Sequence, residues 1–486
     1  MKGAAQVHLL APVALALPFD HYRNAFPTQR GGFVLDGGDV ALLGAEPFLA
    51  FRASRSDRRL ASGALGARVV IEQGDEAKHS EVDDPLELLR ALLREHAVDP
   101  AIYEGDRPFP LHAGAVGYFG YEVGQMLERL PAAPRPRVEM PDIALFFHDW
   151  VLGCDRRTGA TFLSVLGRGA SSAAARASAE RTRDRVTSVL QAFERTQSER
   201  GGAVPTLPSA RVAAVVSRDE YLAKIATAKE HICAGDAFEI CLTHRLDAPF
   251  AGDPFALWQE LRQANPAPFA AFLDLPEGAI ASSSPERFLS IDADRIVESR
   301  PIKGTRPRGA TAEEDERLAR DLASSTKDRA ENAMIVDLVR NDLGRVCRFG
   351  SVETPSLFAV ERYATVHQLV STVRGELDDG RDAIDVLRAC FPPGSMTGAP
   401  KIEAMTILEG LEPTERGVDS GALGWIDFSG THDLSVVIRT VVVNGTRAHL
   451  GVGGAIVADS DSVAEYDETM HKARAIVAAL AIGTAQ

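Results

Sequence analysis

The sequence predicts a folded protein of mixed strands and helices, built from two regions of different texture. Hydrophobic residues make up 45% and charged residues 25% of the 486 residues, which is typical of a globular chain. Up to about residue 165, short apolar runs alternate with turns, and from Ser217 onward strand and helix patterns alternate. The linker-like stretch SERGGAVPTLPS separates the two textures. We therefore expect two regions, 1–210 and 211–486.

The first region begins with a predicted strand. Its opening run AQVHLLAPVALAL is short and is interrupted by Pro12, which favours a strand over a secretion signal. FVLDGG, ALLGAEPFLAF and ARVVIEQGDEA are strand–turn patterns, whereas DDPLELLRALLREHAV has helical spacing. The stretch ASSAAARASAERTRDRVTSVLQAFERT predicts a charged, alanine-rich helix. No apolar run approaches the ~20 residues of a membrane span, so we expect no membrane segment.

Charge and cysteine content narrow the class of protein. Lys and Arg total 53 and Asp and Glu total 68, which gives a net charge of -15. Such a chain is poorly suited to bind nucleic acids or anionic membranes, so an anionic substrate needs a local basic cluster or a metal ion. The five cysteines are scattered without metal-ligand spacing, which predicts buried inert thiols and a cytoplasmic protein.

Lys303 lies in the segment ESRPIKGTRPRG, between Pro301 and Gly304. The proline restricts the backbone, and the glycine lets a ligand approach it closely. A lysine held in this way is a candidate nucleophile if burial or a nearby cation lowers its pKa. Glu286, 17 positions earlier, is then a candidate proton acceptor. The alternative is an ordinary lysine on a surface loop.

Two predicted helices carry carboxylates at helical spacing. Asp328 and Glu331 share a face in KDRAENAMIVDLVRNDLG, and Glu465, Glu468 and Lys472 share a face in DSDSVAEYDETMHKA. Glu331 together with Glu468 would form an oxygen-ligand site, and hard carboxylate ligands suit Mg²⁺. The alternative for the first pair is compensation of the helix dipole.

Two further segments indicate an anion site. In FPPGSMTGAPKIEAM, a glycine-rich loop leads into a helix start that presents free N–H groups, although a plain capped loop is the alternative. Arg439 interrupts the apolar strands of LSVVIRTVVV, and Gly453 and Gly454 follow in HLGVGGAIVADS. A buried arginine needs a carboxylate, which is either a ligand or an internal partner. The combined features fit a small substrate with several carboxylates.

The second region contains, in this order, the segments PIKGTRPRG, ENAMIVDLVRNDLGRV, GSMTGAPK and GGAIVADS with EYDET. These segments resemble the motifs of the chorismate-utilising enzyme family. That family includes anthranilate synthase component I, aminodeoxychorismate synthase component I, and the isochorismate and salicylate synthases. The resemblance extends from about Ser217 to the end, and AVGYFGYE is similar to the family's N-terminal region. It implies an α+β fold in which large antiparallel β-sheets pack as a sandwich with helices outside. It also implies that the two regions pack together.

Within the family, the residue between PI and GT separates two amination reactions. Anthranilate synthases typically carry alanine there, whereas this chain has Lys303, as aminodeoxychorismate synthases do. The resemblance therefore implies that Lys303 attacks C2 of chorismate with loss of the C4 hydroxyl, and that ammonia then adds at C4. The product would be 4-amino-4-deoxychorismate, on the way to 4-aminobenzoate and folate. GDAFEICLTHR is also similar to these synthases. The alternatives are an anthranilate synthase component I, which aminates C2 and eliminates pyruvate, and a non-catalytic relative.

The resemblance also assigns roles by motif position. Lys303 would be the nucleophile, Glu286 its acid/base and His367 the general acid near the leaving hydroxyl. Mg²⁺ would be bound by Glu331 and Glu468, with support from Asp328 and Glu465. Seven residues would hold the carboxylates of chorismate through cationic side chains, small side chains or backbone amides. They are Gly304, Thr305, Arg439, Gly453, Gly454, Ala455 and Lys472.

Three positions depart from the family pattern. Asp419 stands where the family has a substrate-contacting tyrosine, and Ala455 replaces the third glycine of the strand end. Gly37 replaces the serine of a motif that binds tryptophan in feedback-inhibited relatives, so we expect no such feedback. No amidotransferase segment is visible before Gln486, so a separate glutamine amidotransferase subunit is expected to supply ammonia.

Overall fold

The structure is a computed structural model that describes residues 5–28, 30–103, 108–199 and 212–481. Most of the predicted linker and the predicted boundary near residue 210 lie outside the described residues. The division into two regions therefore stays a prediction. The expected first strand, the helix after Asp84 and the alanine-rich helix after residue 171 are all present.

The strands of the first half of the chain are β1 (Ala5–Pro12), β2 (Gly32–Gly37), β3 (Val40–Gly44), β4 (Leu49–Arg59), β5 (Leu65–Gln73), β6 (Glu76–Val82), β7 (Gly114–Phe119), β8 (Ile143–His148), β9 (Trp150–Asp155), β10 (Thr161–Gly169), β11 (Ala213–Ala214) and β12 (Glu239–Pro249). Those of the second half are β13 (Phe269–Leu275), β14 (Gly278–Ser284), β15 (Arg287–Ile291), β16 (Ile296–Arg300), β17 (Ile302–Pro307), β18 (Glu353–Arg362), β19 (Val366–Glu376), β20 (Gly398–Ala399), β21 (Ala422–Asp427), β22 (His432–Val436), β23 (Thr440–Asn444) and β24 (Arg447–Ile456).

The α-helices are α1 (Pro85–Glu95), α2 (Gly124–Leu127), α3 (Ser172–Glu199), α4 (Arg218–Ala234), α5 (Pro254–Ala264), α6 (Ala312–Ser324), α7 (Thr326–Gly344), α8 (Ala383–Cys390), α9 (Lys401–Leu411) and α10 (Ser462–Ala481). Local sequence accounts for several of their starts. Asp84 accepts hydrogen bonds from the first free amides of α1, and Ser217 and Glu220 form a capping box on α4. Ser325 caps α7 by accepting from the Asp328 amide.

Two large antiparallel sheets form the centre of the molecule, each of 12 strands within the described ranges. In the first sheet the order is β1-β10-β9-β3-β2-β13-β14-β23-β24-β12-β11, with β20 beside β12. In the second sheet it is β17-β19-β16-β15-β22-β21-β7-β8-β4-β5-β6, with β18 beside β19. The α+β fold with large antiparallel sheets is therefore confirmed.

The core has three layers of apolar packing. Between the sheets, side chains of the first sheet meet those of the second, among them Phe33, Ile280, Tyr118 and Trp425. The outer face of the first sheet packs on α3, α5 and α10. The outer face of the second sheet packs on α1, α7 and α8. The expected sandwich with helices outside follows from this division of apolar faces.

Strands from the two regions of the chain are hydrogen-bonded in both sheets. In the first sheet, β2 pairs with β13, with Val34 opposite Phe272. In the second, β7 pairs with β21, with Gly117 opposite Gly424. Both glycines lie against backbone atoms. A Cβ on Gly117 would come within 1.9 Å of the Ala144 carbonyl oxygen, and one on Gly424 within 2.0 Å of the Asp433 carbonyl oxygen. The N-terminal region thus packs against the C-terminal region as expected.

Within the described ranges, no helix combines the length and apolar character needed to cross a membrane. The five cysteines are free thiols. Four of them are buried, and Cys233 is exposed.

Candidate active site

Lys303 lies where the two sheets approach each other. The pairing of β17 with β19 is irregular between Ile302 and Thr305, so Lys303 leaves the regular ladder. Its Nζ donates a hydrogen bond to Oε1 of Glu239, at the start of β12 in the first sheet, over 2.6 Å. The Lys303 side chain is 10% exposed and that of Glu239 is 0% exposed. Lys303 is therefore a buried, ion-paired residue and not an ordinary surface lysine.

The charge state of Lys303 differs from the sequence expectation. Burial lowers its pKa, but the carboxylates of Glu239 and Glu331 and the Cys241 side chain raise it by more, so the net shift is upward. The condition set from the sequence, a pKa lowered by burial or by a nearby cation, is therefore not met among the described residues. Lys303 is thus an ammonium in this state, and it must lose a proton before it can act as a nucleophile.

Glu286 follows β14 and is buried close to this ion pair. Burial raises its pKa to about 7, partly offset by a hydrogen bond with Ser395 and by the positive charges of Lys303 and Arg439. A carboxyl with this pKa exchanges protons readily near neutral pH, as an acid/base group must. The structure therefore brings Glu286 and Lys303 into one site.

Arg439 lies between β22 and β23 with a left-handed backbone, at φ 51°. Burial lowers the pKa of its guanidinium, and the charge of Glu286 raises it in part. Among the described residues the guanidinium makes no hydrogen bond and no ion pair. The alternative of an internal salt bridge is thus not found. A partly buried arginine in a strained backbone, whose guanidinium makes no hydrogen bond to a described residue, is arranged to receive a carboxylate ligand.

The carboxylates of α7 and α10 face each other across a lysine. Lys327 Nζ lies 3.2 Å from Oε1 of Glu465 and 3.8 Å from Oε1 of Glu331. Oε1 of Glu331 is buried and has no hydrogen-bond partner. Burial raises the pKa of Glu331 to about 7, and the charge of Lys303 counteracts this in part.

The other two predicted metal ligands are also paired with basic side chains. Asp328 Oδ2 accepts from Arg306 over 3.0 Å, and Glu468 lies 2.8 Å from Lys472 Nζ. In the part of the chain that the structure describes, no three Asp, Glu, His or Cys side chains converge as a metal-ligand cluster. The carboxylates of Glu331 and Glu465 nevertheless fit a cation, because the Lys327 ammonium already lies between them and Oε1 of Glu331 accepts no hydrogen bond. Oxygen ligands of this kind suit a hard metal ion.

Three of the predicted substrate-binding residues have geometry that explains their type. Gly304 has φ 86°, and a Cβ there would come within 2.8 Å of Asp328 Cγ. A Cβ on Gly453 would come within 2.4 Å of the Leu242 carbonyl oxygen. Lys472 Nζ donates to the Gly453 carbonyl oxygen over 3.2 Å, which ties α10 to the glycine-rich end of β24.

The other predicted binding residues lie on β24, beside β12, and on β17. Gly453, Gly454 and Ala455 pair with Thr243, Leu242 and Cys241, which follow Glu239 on β12. Thr305 is exposed on β17 and lies opposite the buried Gln368. The roles of these residues in substrate binding remain predictions.

His367 is buried on β19 and belongs to an aspartate–histidine pair. Its Nε2 lies 2.9 Å from Oδ1 of Asp315 on α6, and its Nδ1 has no hydrogen-bond partner. Asp315 in turn accepts hydrogen bonds from Arg308. The aspartate fixes the ring orientation, as the third member of a catalytic triad does. The general-acid role of His367 remains a prediction.

Two departures from the family pattern have visible surroundings. Asp419 is buried against Gly451 of β24, its Oδ2 accepts from the Ser420 hydroxyl over 3.0 Å, and burial raises its pKa to about 6. Gly37 lies so close to Pro268 that a Cβ would come within 1.9 Å of the carbonyl oxygen. Position 37 therefore has no room for a serine side chain.

Glu239 was not identified as a site residue from the sequence. Its segment GDAFEICLTHR was noted only as similar to the family, and 64 positions separate Glu239 from Lys303. The sequence does contain one indication of a role for Glu239, since it lies between two apolar residues at the start of an apolar strand. A charge buried in this way needs a partner.

The comparisons with known proteins agree with this geometry. The family model for chorismate binding enzymes matches residues 46–478. An aminodeoxychorismate synthase of Streptomyces griseus is 47% identical over 75% of this chain and 50% of that protein. Aminodeoxychorismate synthase component 1 of Escherichia coli is 40% identical over 85% of this chain and 86% of that protein. Anthranilate synthase component 1 of Streptomyces coelicolor is 40% identical over 82% of this chain and 77% of that protein.

A solved structure shares the architecture. Anthranilate synthase component I from Streptococcus pneumoniae superposes with a TM-score of 0.74 at 28% identity, over 90% of this chain and 92% of that chain. The chain spans about half the length of the Streptomyces aminodeoxychorismate synthases that it matches, at 50% and 58%. The family match over most of the chain and the shared fold lead to one conclusion: this chain belongs to the chorismate-binding enzyme family.

Proposed function

We propose that the chain is a transferase that aminates chorismate at C4 with ammonia and forms 4-amino-4-deoxychorismate, a precursor of 4-aminobenzoate and folate. One observation carries this proposal: a buried lysine, Lys303, lies at the centre of the site beside Glu239 and Glu286. A lysine that binds covalently at C2 blocks that carbon and directs ammonia to C4. Four relatives between 36% and 47% identical that bear the name aminodeoxychorismate synthase support the assignment.

Anthranilate formation is the second candidate. It is favoured by the 40% identity to the Streptomyces coelicolor anthranilate synthase component 1 and by the Streptococcus pneumoniae structure. Lys303 argues against it, because a lysine that forms a covalent bond to C2 blocks the attack of ammonia on that carbon. Amination at C4 therefore fits this site better.

The residues divide the work as follows. Arg439, which has no partner among the described side chains, receives a substrate carboxylate, and the glycine-rich end of β24 with Lys472 receives the other. Lys303 forms the bond to C2. Glu286, whose pKa is about 7, is reassigned from Lys303 to the C4 substituent, because Glu239 already accepts the hydrogen bond of Lys303. It protonates the leaving C4 hydroxyl and later accepts a proton from the new amine. His367, held by Asp315, is the alternative donor to the hydroxyl.

Mg²⁺ is the proposed cofactor. Glu331 and Glu468 would bind it, with Asp328 and Glu465 in support, and their oxygen donors suit this ion. When bound, it would neutralise the ring carboxylate and polarise the substrate. The basic side chains that now pair with these carboxylates would have to move aside.

Ammonia is proposed to come from a separate glutamine amidotransferase subunit. The name "component 1" of the Escherichia coli relative, which matches 85% of this chain, supports a multi-component enzyme. Five free cysteines support a reducing, cytoplasmic setting. The net charge of -15 argues against nucleic acid or an anionic membrane as a partner.

Pyruvate release tests the proposal against its rival. Purified protein would be incubated with chorismate, Mg²⁺ and ammonium, and pyruvate would be followed with lactate dehydrogenase while anthranilate is followed by fluorescence. We expect chorismate consumption without either signal, because the enolpyruvyl group is retained. Equal release of pyruvate and anthranilate would instead support the second candidate.

A further inference from the structure

Glu239 combines deep burial with an incomplete set of hydrogen bonds. One carboxylate oxygen, Oε1, accepts from Lys303 over 2.6 Å. The other, Oε2, is buried and has no partner. A buried charge with an unpaired oxygen costs free energy, and in Glu239 this oxygen lies on the same carboxylate that contacts Lys303.

Asp247 provides a comparison on the same strand. It lies eight residues further along β12 and pairs with Arg245 at 2.9 Å, His449 at 2.8 Å and Arg447 at 3.4 Å. Both of its oxygens are therefore satisfied, as expected for a structural ion pair. Glu239 differs because its second oxygen is left free beside the predicted reaction centre.

The charged groups around Lys303 come from every element packed against it. They are Glu239 and Cys241 on β12, Glu331 on α7, Glu286 after β14, Arg439 before β23, and Glu468 and Lys472 on α10. Among the described residues, only Glu239 forms a hydrogen bond with Lys303 Nζ. Glu286 and Glu331 act on it through charge alone. Glu239 is thus the group to which a Lys303 proton passes most directly.

We propose that Glu239 is a catalytic residue that takes the proton from Lys303 when the lysine attacks chorismate and returns it when the lysine leaves. This inference rests on the proposed function and adds a proton acceptor to it. It also divides the acid/base work between two carboxyl groups. Glu239 serves the lysine, and Glu286 serves the C4 substituent.

The steps balance with these two groups alone. An N–H bond of the Lys303 ammonium breaks, the proton goes to Glu239, and the freed electron pair forms the bond from Nζ to C2. The two conjugated ring double bonds shift from C1=C2 and C5=C6 to C1=C6 and C4=C5, the C4–O bond breaks, and the hydroxyl leaves as water with the proton of Glu286. Ammonia then forms a bond to C4 as the C2–N bond breaks. Lys303 regains the proton of Glu239, and the C4 ammonium returns one to Glu286.

The test uses Glu239→Gln in the full chain, because glutamine keeps the size and an acceptor oxygen but loses the charge. We expect kcat for aminodeoxychorismate to fall by about 10²-fold or more, the range of general acid–base catalysis, while KM changes little. Glu239→Asp, which keeps the carboxylate, should restore part of kcat. Asp247→Asn is the matched control, because it removes a paired carboxylate from the same strand. It should keep wild-type kcat, because Asp247 pairs with Arg245, Arg447 and His449 and not with Lys303.

A second readout does not depend on turnover. Amine-selective reductive methylation across a pH series, read by peptide mass spectrometry, measures how easily Lys303 loses its proton. Lys303 should react at lower pH in Glu239→Gln than in the wild type, and at unchanged pH in Asp247→Asn. The same readout applies to Glu239→Asp if the glutamine variant does not fold.

The outcomes separate the two proposals. A wild type that makes aminodeoxychorismate, together with a Glu239→Gln variant of unchanged kcat and unchanged methylation profile, would overturn the role of Glu239 and leave the proposed function intact. A wild type that makes no such product from chorismate and ammonium would overturn the proposed function itself and, with it, the proton transfer.

Discussion

Lys303 Nζ lies 2.6 Å from Oε1 of Glu239, and this contact connects the edge strand of one sheet to a strand of the other. The two side chains are 10% and 0% exposed, so the ion pair is almost fully removed from water. It places a potential nucleophile and a proton acceptor in contact before substrate arrives, and the free Arg439 guanidinium and the carboxylates of α7 and α10 belong to the same site.

Replacing Lys303 tests the covalent step. In Lys303→Ala we expect aminodeoxychorismate formation to fall to the background of the assay, because the side chain proposed to form the bond to C2 is removed. Chorismate binding, measured by calorimetry, should persist, because Arg439 remains. Lys224→Ala is the control, since the hydrogen bond that Lys224 makes within the described residues goes to the Leu411 carbonyl oxygen, over 2.6 Å. An unimpaired rate in Lys303→Ala would refute the nucleophile assignment.

Replacing Arg439 separates ligand binding from folding. Its guanidinium has no partner among the described residues, so Arg439→Gln should weaken chorismate binding by about 2–5 kcal/mol, the range for losing a buried charged contact. The free energy of unfolding should stay equal or rise, because no hydrogen bond within the described residues is lost and a charge that its partly buried surroundings disfavour is removed. Calorimetry and urea unfolding measure the two effects. A marked loss of stability with unchanged binding would point to a structural arginine.

Mg²⁺ should be required, and its binding should be visible without turnover. We expect EDTA to abolish activity and added Mg²⁺ to raise the melting temperature of the wild type in the presence of chorismate. Both effects should be lost in Glu331→Gln and Glu468→Gln. Glu403→Gln is the control, because Glu403 is exposed on α9. Full activity of the wild type in EDTA would contradict the metal proposal.

Glu286 should make stability depend on pH. Its pKa is raised from 4.5 to about 7, so the native state holds a proton that the unfolded state has lost between these values. Stability from this group is therefore present below pH 4.5 and is lost as the pH rises to about 7, with a cost of up to about 3 kcal/mol. Glu286→Gln should be more stable than the wild type at pH 8 by urea unfolding, with a smaller difference at pH 5. A variant that is less stable at pH 8 would show that the carboxylate is stabilised by its neighbours.

The sequence predicted much of the fold because local patterns and a family resemblance agreed. The apolar spacing of DDPLELLRALLREHAV predicted α1, and the resemblance carried by the motif order implied large antiparallel sheets. The interleaving of regions through the β2–β13 and β7–β21 pairs follows from long-range packing, which local periodicity does not encode.

The candidate site was predicted only in part. The sequence identified Lys303, Glu286 and Arg439 by residue type in an unusual local setting. It did not identify Glu239, because its partner is 64 positions away, and it did not predict that Lys327 would lie between Glu331 and Glu465. It made a lowered pKa the condition for Lys303 to act as a nucleophile, whereas the carboxylates that the fold gathers around the lysine raise that pKa.

The identity of the product tests the central claim most directly. The purified chain would be incubated with chorismate, Mg²⁺ and ¹⁵N-labelled ammonium at alkaline pH, and the product would be analysed by mass spectrometry and NMR. We predict a compound that retains the enolpyruvyl group and carries the label on C4. A label on C2, with the enolpyruvyl group lost as pyruvate, would contradict C4 amination through Lys303.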